Sequence, residues 1–486
     1  MTKTSLFVLV TLVVWLTPCF AQQTDVGITA DPINVQIPMS DLGVAAIEIL
    51  TLPETQDASK PTATINDFVL RTNGARTRVQ AMSPLGDGSG RIAISDLRGV
   101  LYIADADGSN LQVYLDLRSA TSDLSMHLFP NEAGLLGFAF HPQFGEIGTA
   151  GYGKFYTGYS ARADSGKADF LSDQAQSHHS VLREWTAQDH RADRFSGASR
   201  EVLRVGQFAV SHNIGTLAFN PAAKPGTADF GALYLSFGDG GGAFDPMRNG
   251  QNPLTPLGTL LRINPLAEDG AYAIPQDNPF VGVDGYLPEI WLWGIRHAQH
   301  FSFAQDGQLF INDIGQNLIE EINIGRAGAN YGWPLREGTF VTGQGRVGGY
   351  LAALYQNHDL TDGFTYPIAQ YDHDDVVNAI GSGYLYEGAA IPALRGKYVF
   401  GDLVQGTVYY IDGNARDENG SAQIRELQLI IDGKIQPLRD VASYANTYTP
   451  DVPRVDLRLG VDSQGELYLL TKGDGKVRKL VQDQSN

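Results

Sequence analysis

A single cysteine, Cys19, occurs in 486 residues, so a disulfide framework is excluded, and thiol catalysis and cysteine-bound zinc are excluded beyond the N-terminus. Basic residues are scarce: 35 Lys and Arg stand against 54 Asp and Glu, a net charge of −19. That balance argues against a nucleic acid partner, which needs clustered cations, and against docking on an anionic membrane, while it suits divalent cations. Nucleotide cofactors lack support, because no P-loop is present and no Gly-x-Gly-x-x-Gly opens a helix. The hydrolase elbow Gly-x-Ser-x-Gly and the metalloprotease His-Glu-x-x-His are missing as well.

Long apolar runs are also lacking, with one exception at the extreme N-terminus. Lys3 precedes an apolar stretch of eleven residues, Leu6 to Leu16, and Pro18, Cys19 and Ala21 follow. A short basic start, an apolar core and a small-x-small end predict a signal peptide over residues 1–21 and an exported, periplasmic or extracellular protein. The run is too short to span a bilayer, which takes about 20 residues, so no membrane span is expected. Pro18 beside Cys19 argues against a lipoprotein cleavage site.

What is abundant is glycine: 55 residues, about 11% against roughly 7% on average. With 23 prolines and 10% aromatics, this favours short strands and tight turns. Residues 22–61 have few aromatics and read as an extended lead-in or linker. Beyond them a turn glycine followed by a large apolar pair recurs at Gly99, Gly153, Gly231, Gly307, Gly396 and Gly465. The mean spacing of about 73 residues is long for a solenoid repeat but holds a four-stranded blade with long loops. The expectation is all-β: one six-bladed propeller of four-stranded antiparallel blades over residues 62–484.

A radial fold gathers loops distant in sequence, and three segments carry candidate chemistry. In Asn131-Glu-Ala-Gly-Leu-Leu-Gly-Phe-Ala-Phe-His-Pro-Gln-Phe144, Glu132 either faces a cavity or is simply solvated, and His141 reads as a structural turn residue. In the second segment, His212 sits in a polar loop just before a strand, and Asp239 follows the next strand, within one hairpin of it. The pair reads as a general base with its orienting carboxylate, or as two ordinary loop residues. In the third, Arg296 and His297 emerge from the aromatic strand Ile290-Trp-Leu-Trp293, where a cation is costly unless it meets an anion. The turn at Gly315 and Gln316 lies among Asp313, Glu320 and Glu321, an oxygen-rich setting of the kind Ca²⁺ prefers, or an ordinary acidic surface.

In order along the chain, Gly134-Leu-Leu-Gly-Phe-Ala-Phe-His-Pro-Gln-Phe144, His212-x-x-Gly-x-Leu-x-Phe-x-Pro221, Gly294-x-Arg296, Gly315-Gln-Asn317, Asn330-Tyr-Gly-Trp-Pro334, Gly381-Ser-Gly-Tyr-Leu-Tyr386 and Phe400-Gly-Asp402 resemble the soluble quinoprotein glucose/sorbosone dehydrogenase family. The likeness covers residues 70–480 and implies a six-bladed propeller holding pyrroloquinoline quinone (PQQ) and Ca²⁺. It implies that His212 takes the proton of a sugar's anomeric hydroxyl while Asp239 holds the imidazole. Arg296 is then the cation for the quinone, Gly315 and Gln316 supply carbonyls for Ca²⁺, and Glu321 with the Tyr331 carbonyl resembles a second calcium site.

The chain departs from the pattern at several points. Glu132 stands where the family has a cofactor-contacting glutamine, His297 where it has an asparagine, and Val404 where it has a lysine. Arg454 and Arg458 are loose counterparts of its paired arginines. A lost charged hydrogen bond costs about 1–3 kcal/mol of binding, so quinone affinity is expected to be weakened or displaced. The leading expectation is an exported PQQ- and calcium-dependent sugar dehydrogenase acting on a small-molecule sugar with an unidentified electron acceptor, as a monomer or a homodimer. The branch also includes hedgehog-interacting-protein-like members, so the alternatives are a non-enzymatic propeller binding a glycan or protein, and a calcium-dependent lactonase-type hydrolase.

Overall fold

The computed structural model describes residues 27–54, 63–65, 68–70, 75–125, 132–172, 174–267, 271–316, 318–347, 351–374, 376–445 and 453–483. The leader expected over 1–21 and the landmark Asn317 lie outside them. Each of six sheets starts from a strand whose neighbours alternate apolar residues with turn glycines, and each zigzags outward through antiparallel partners. The starting strands are Val79–Pro84, Leu135–Phe140, Ile214–Phe219, His300–Phe303, Ile380–Leu385 and Arg458–Val461. Each packs on the next, and Arg458–Val461 packs back on Val79–Pro84. The ring is therefore closed, a six-bladed β-propeller. The fourth blade carries an inserted sheet of Arg336–Glu337, Phe340–Val347 and Leu351–Tyr355 before its outer strand Ala369–Asp372.

The core lies between blades rather than within any one of them. Leu101 and Ile103 of blade one meet Phe138, Phe155 and Trp185 of blade two, and Tyr468 and Leu470 of blade six meet Val79 and Ile92 of blade one. A blade faces a neighbour on each side, so both faces of its strands are apolar and no linear domain boundary interrupts the sequence. The repeat glycines sit at positive φ, 94° at Gly99 and 78° at Gly465, for instance, where a side chain is strained. In blades two to six each introduces the second strand. Gly99 instead introduces the third strand of blade one, and the equivalent glycine there is Gly90, φ 76°, ahead of Ile92–Asp96. Among the described residues no helix is long and apolar enough to cross a membrane.

The lead-in expected over 22–61 requires correction. From Met39 to Thr51 it is a strand of the propeller, paired antiparallel with Lys476–Gln482 and parallel with Arg425–Ile431. It is the outer strand of the sixth blade, so the propeller begins at Met39 rather than at residue 62. Val44, Ala46 and Leu50 point into the core, while Ile47 is 53% exposed. The period-two pattern is there, but without aromatics it reads weakly. A charge buried at Val44, which is 0% exposed, should cost about 2–4 kcal/mol. Val44→Asp should therefore lower the thermal midpoint by several degrees, and Ile47→Asp should leave it nearly unchanged. Equal shifts in the two variants, measured by calorimetry, would contradict this strand's role.

Candidate active site

The beginnings of the inner strands converge on one end of the channel. There Glu132, His212, Arg296, His297, Gly315, Gln316, Arg454 and Arg458 line a cavity of about 430 Å³, together with Val404 and Gln299. A second cavity, of about 420 Å³, lies among the strand ends at the opposite mouth and is mostly aromatic and aliphatic.

His212 adopts a left-handed backbone, φ 56°, a conformation that costs a non-glycine residue of order 1 kcal/mol or more. Contacts on both sides hold it there. Its N–H donates to Glu132 Oε2 at 2.8 Å, and its Nδ1 lies 2.6 Å from Asp239 Oδ1. Asp239 is wholly buried and also accepts from the Gly241 N–H and from the indole N–H of Trp333, each at 2.8 Å. Burial would raise its pKa, but His212, Arg296 and these donors outweigh it and hold the carboxyl below its ordinary range. An ionised Asp239 can only accept, so the His212 Nδ1 carries the proton and Nε2 keeps its lone pair. Burial and the nearby Arg296 lower the pKa of His212, so at neutral pH the ring is an uncharged base.

The ring of His297 stacks on that of His212, centroids 4.6 Å apart and planes 15° from parallel. The approach requires Gly238: a Cβ there would lie 2.6 Å from His297 Nδ1 and 2.7 Å from His212 Cβ. Glu132 joins the pair from the cavity side, with Oε2 3.4 Å from His297 Nε2. Burial opposes its charge, yet His297 and His212 pull its pKa well below the usual carboxylate range. Of the two readings of Glu132, the structure selects the cavity-facing one. Asp313 sets the next turn, accepting from the backbone N–H groups of both Arg296, at 2.9 Å, and His297, at 2.6 Å. The Arg296 guanidinium donates to the Ile314 carbonyl at 2.8 Å and lies 5.6 Å from the Trp333 ring centroid. Its Nε has no hydrogen-bond partner among the described residues.

Across the cavity, Arg454 grips Asp456 Oδ1 through two donors at 3.0 and 2.7 Å, and Arg458 donates to Gln299 Oε1 at 2.9 Å. The Gly315 N–H donates to Glu320 at 3.2 Å and the Gln316 N–H to Glu337 at 2.8 Å. Glu321 and Tyr331 do not line the cavity. Glu321 pairs across its sheet with Asp313, and burial pushes both carboxyls up, their mutual repulsion adding to Glu321. The Tyr331 hydroxyl donates to the Ile324 carbonyl, at 2.6 Å. His300 lies deeper in the channel, held 3.0 Å from the Gly383 carbonyl, and burial pushes its pKa down to about 4. His141 is buried at a turn, accepting from the Gln143 N–H at 3.0 Å.

Sequence reading missed Asp456 and His373, and it named Trp333, Asp313 and Glu320 without their partners: Asp239 for Trp333, the Arg296 and His297 N–H groups for Asp313, and His373 at 2.9 Å for Glu320. Trp333 belongs to the Asn-Tyr-Gly-Trp-Pro motif, but its partner Asp239 lies 94 residues away. The donor set suits two kinds of guest. Three cations on the wall with spare donors fit an anionic planar molecule, and an oxygen-only turn beside crowded buried carboxyls fits a hard cation such as Ca²⁺.

Comparison with known proteins agrees with this architecture. The HIPL1 protein of Arabidopsis thaliana is 28% identical over 370 residues, 66% of this chain and 50% of that one. Quinoprotein glucose dehydrogenase B of Acinetobacter calcoaceticus is 28% identical over 237 residues, 46% of this chain and 43% of the other. The chain thus spans about half the length of these curated relatives. The PQQ-bound aldose sugar dehydrogenase of Streptomyces coelicolor superposes with a TM-score of 0.55 at 18% identity, covering 92% of this chain and 99% of that one, a likeness of fold. The sequence profile of the glucose / sorbosone dehydrogenase family matches residues 78–449, more than half of the chain, and the protein belongs to that family.

Proposed function

We propose that this protein is an exported dehydrogenase that oxidises an aldose-type sugar at its anomeric hydroxyl, using PQQ and Ca²⁺ and passing electrons to an external acceptor. The observation that carries the reading is an uncharged His212, fixed by an ionised Asp239, on the wall of a cavity lined by three cations. PQQ, when bound, supplies a two-electron acceptor, and Ca²⁺ polarises it. The protein's own groups perform the proton chemistry. His212 Nε2 accepts the proton of the sugar hydroxyl, and the Asp239 carboxylate stabilises the resulting imidazolium. Trp333 and the Gly241 N–H keep Asp239 from rotating away. Arg296, tied to the Ile314 carbonyl and flat beside Trp333, presents its remaining donors to an anionic ligand edge. Val376 and Val377, each 46% exposed, offer an apolar wall to a planar ring. Gly315 and Gln316 are the residues that would hold the calcium ion at the cavity, and Glu321 with the Tyr331 carbonyl would serve a second, structural calcium site.

A second reading, a propeller that binds a glycan or protein without catalysis, is favoured by Val404. This buried apolar side chain lines the cavity where the family pattern has a lysine. Titrating the purified protein with PQQ in excess Ca²⁺ separates the two, since the dehydrogenase reading requires saturable binding and sugar-dependent dye reduction. A protein that does neither belongs to the second class.

His212→Gln should lower turnover by about 10²–10⁴-fold with the fold retained by circular dichroism. Near-normal turnover would move the base elsewhere, with the stacked His297 next in line. The pH profile carries an independent check. A base with a lowered pKa stays neutral into mild acid, so kcat/KM should hold level through neutrality and fall only below about pH 6.5. Asp239 raises the His212 pKa, so Asp239→Asn should shift the falling limb further toward acid while reducing the plateau. A limb that moves toward alkali would contradict the pairing. Ca²⁺ should raise the thermal midpoint and a chelator lower it, because an ion bound only by the native state stabilises it by mass action. An unchanged midpoint over a wide calcium range would remove calcium from the proposal.

A further inference from the structure

Among the described residues, an unexplained buried charge lies behind the cavity, where blade six meets blade one. Lys472 follows the strand Leu467–Leu470 at the cavity end of blade six, and its carbonyl accepts from the Thr77 N–H of blade one at 3.1 Å. It is 0% exposed, and its ammonium group has no hydrogen-bond partner among the described residues. Around it stand Arg78, also 0% exposed, and the cavity residues Arg454, Asp456 and Arg458. Asp456 is already taken by Arg454 and by the Tyr444 hydroxyl. A protein of net charge −19 has thus collected cations in its interior at one place. Buried charge of one sign is costly unless something of the other sign meets it.

The wall charges show what that something is. Arg296, Arg454 and Arg458 face Glu132 and Asp456, leaving one net positive charge on the cavity surface. Lys472, buried behind it, adds to that positive excess. The location also matches the missing lysine. The Val404 carbonyl accepts from the Val455 N–H at 3.0 Å, and the Leu403 carbonyl accepts from the Leu457 N–H at 3.3 Å, so the strand end bearing Val404 is laced directly to the Arg454–Arg458 segment.

We propose that the seam between blades six and one is a polyanion subsite in which Lys472, acting through Asp456, supplies from the sixth blade the positive charge that Val404 does not supply from the fifth. By offsetting part of the charge of Asp456, Lys472 lets the remaining donors of Arg454 and Arg458 meet a ligand edge carrying two or three carboxylates. It is a positioning residue that does not line the cavity itself. Its surroundings agree: burial, with the neighbouring arginines adding to it, brings the Lys472 pKa down to about 7, and an arriving anion would favour the charged form. The identity of the ligand rests on the proposed function, a quinone tricarboxylate, whereas the charge recognition does not.

The test uses two probes on the whole protein, PQQ and the redox-inert tricarboxylate citrate, followed by quenching of intrinsic fluorescence. Lys472→Met, with Lys472→Gln as the second variant, should weaken both by tenfold or more. The same change should leave the thermal midpoint of the ligand-free protein unchanged or raised, because it removes an unpaired buried charge. Adding Val404→Lys to Lys472→Met should recover part of the lost affinity. Unchanged affinity in both Lys472 variants overturns the subsite, and so does a loss of affinity accompanied by a lower ligand-free midpoint, which marks a structural lysine. Wild type that binds citrate but not PQQ, with the citrate affinity lost in Lys472→Met, supports the subsite and sinks the quinone reading. Wild type that binds PQQ as tightly as Lys472→Met does the reverse.

Discussion

The cavity depends on one geometric constraint: six inner strands must begin at the same end of a common channel. Five of the six blades contribute a few residues each to its lining: Glu132 ahead of the second, His212 ahead of the third, Arg296 and His297 ahead of the fourth, Val376 and Val377 ahead of the fifth, and Arg454 and Arg458 at the sixth. No blade holds a site alone. The inter-blade apolar contacts that keep the ring closed therefore also set the distances between the charged groups at its mouth. A packing change between blades two and three moves Glu132 against His212 without touching either residue.

Within that frame, charge is ordered by burial. On one side the carboxylate of Asp239 is fully committed: imidazole, indole and backbone donors surround it, so it holds its negative charge without a metal or water. On another side the carboxyls of Asp313 and Glu321 crowd one another across a strand pair, a setting improved by any nearby cation. On the third, arginines outnumber their acidic partners. The three arrangements favour a proton acceptor, a hard cation and an anion, in that order around one cavity.

Much of this was legible in the residues. The turn glycines marked five of six blades at the right strand, and failed by one strand in blade one because Gly90-Arg-Ile-Ala lacks the aromatic that makes Gly99-Val-Leu-Tyr conspicuous. His212, Asp239 and Arg296 were visible as polar residues where strands begin or end. Trp333 and Asp313 were visible without their roles, and Lys472 was not visible at all, since each role is defined by a partner, or by the want of one, elsewhere in the chain. The closing strand Met39–Thr51 escaped because its alternation uses small residues, and because its partners lie at the other end of the chain.

That strand also fixes an order of events. Val44 pairs with Gln482 and Ala46 with Leu480, so this strand waits for a partner far downstream in the chain. Pairing over such a separation is slow and comes late, because the chain between must be ordered before the contact is rewarded. Until then the sixth blade lacks its outer strand, although Tyr468 and Leu470 already meet Val79 and Ile92 of blade one. A chain without that strand keeps the inner strands that line the cavity but leaves the outer edge of the sixth blade unpaired, an open edge ready to take up a strand from another chain.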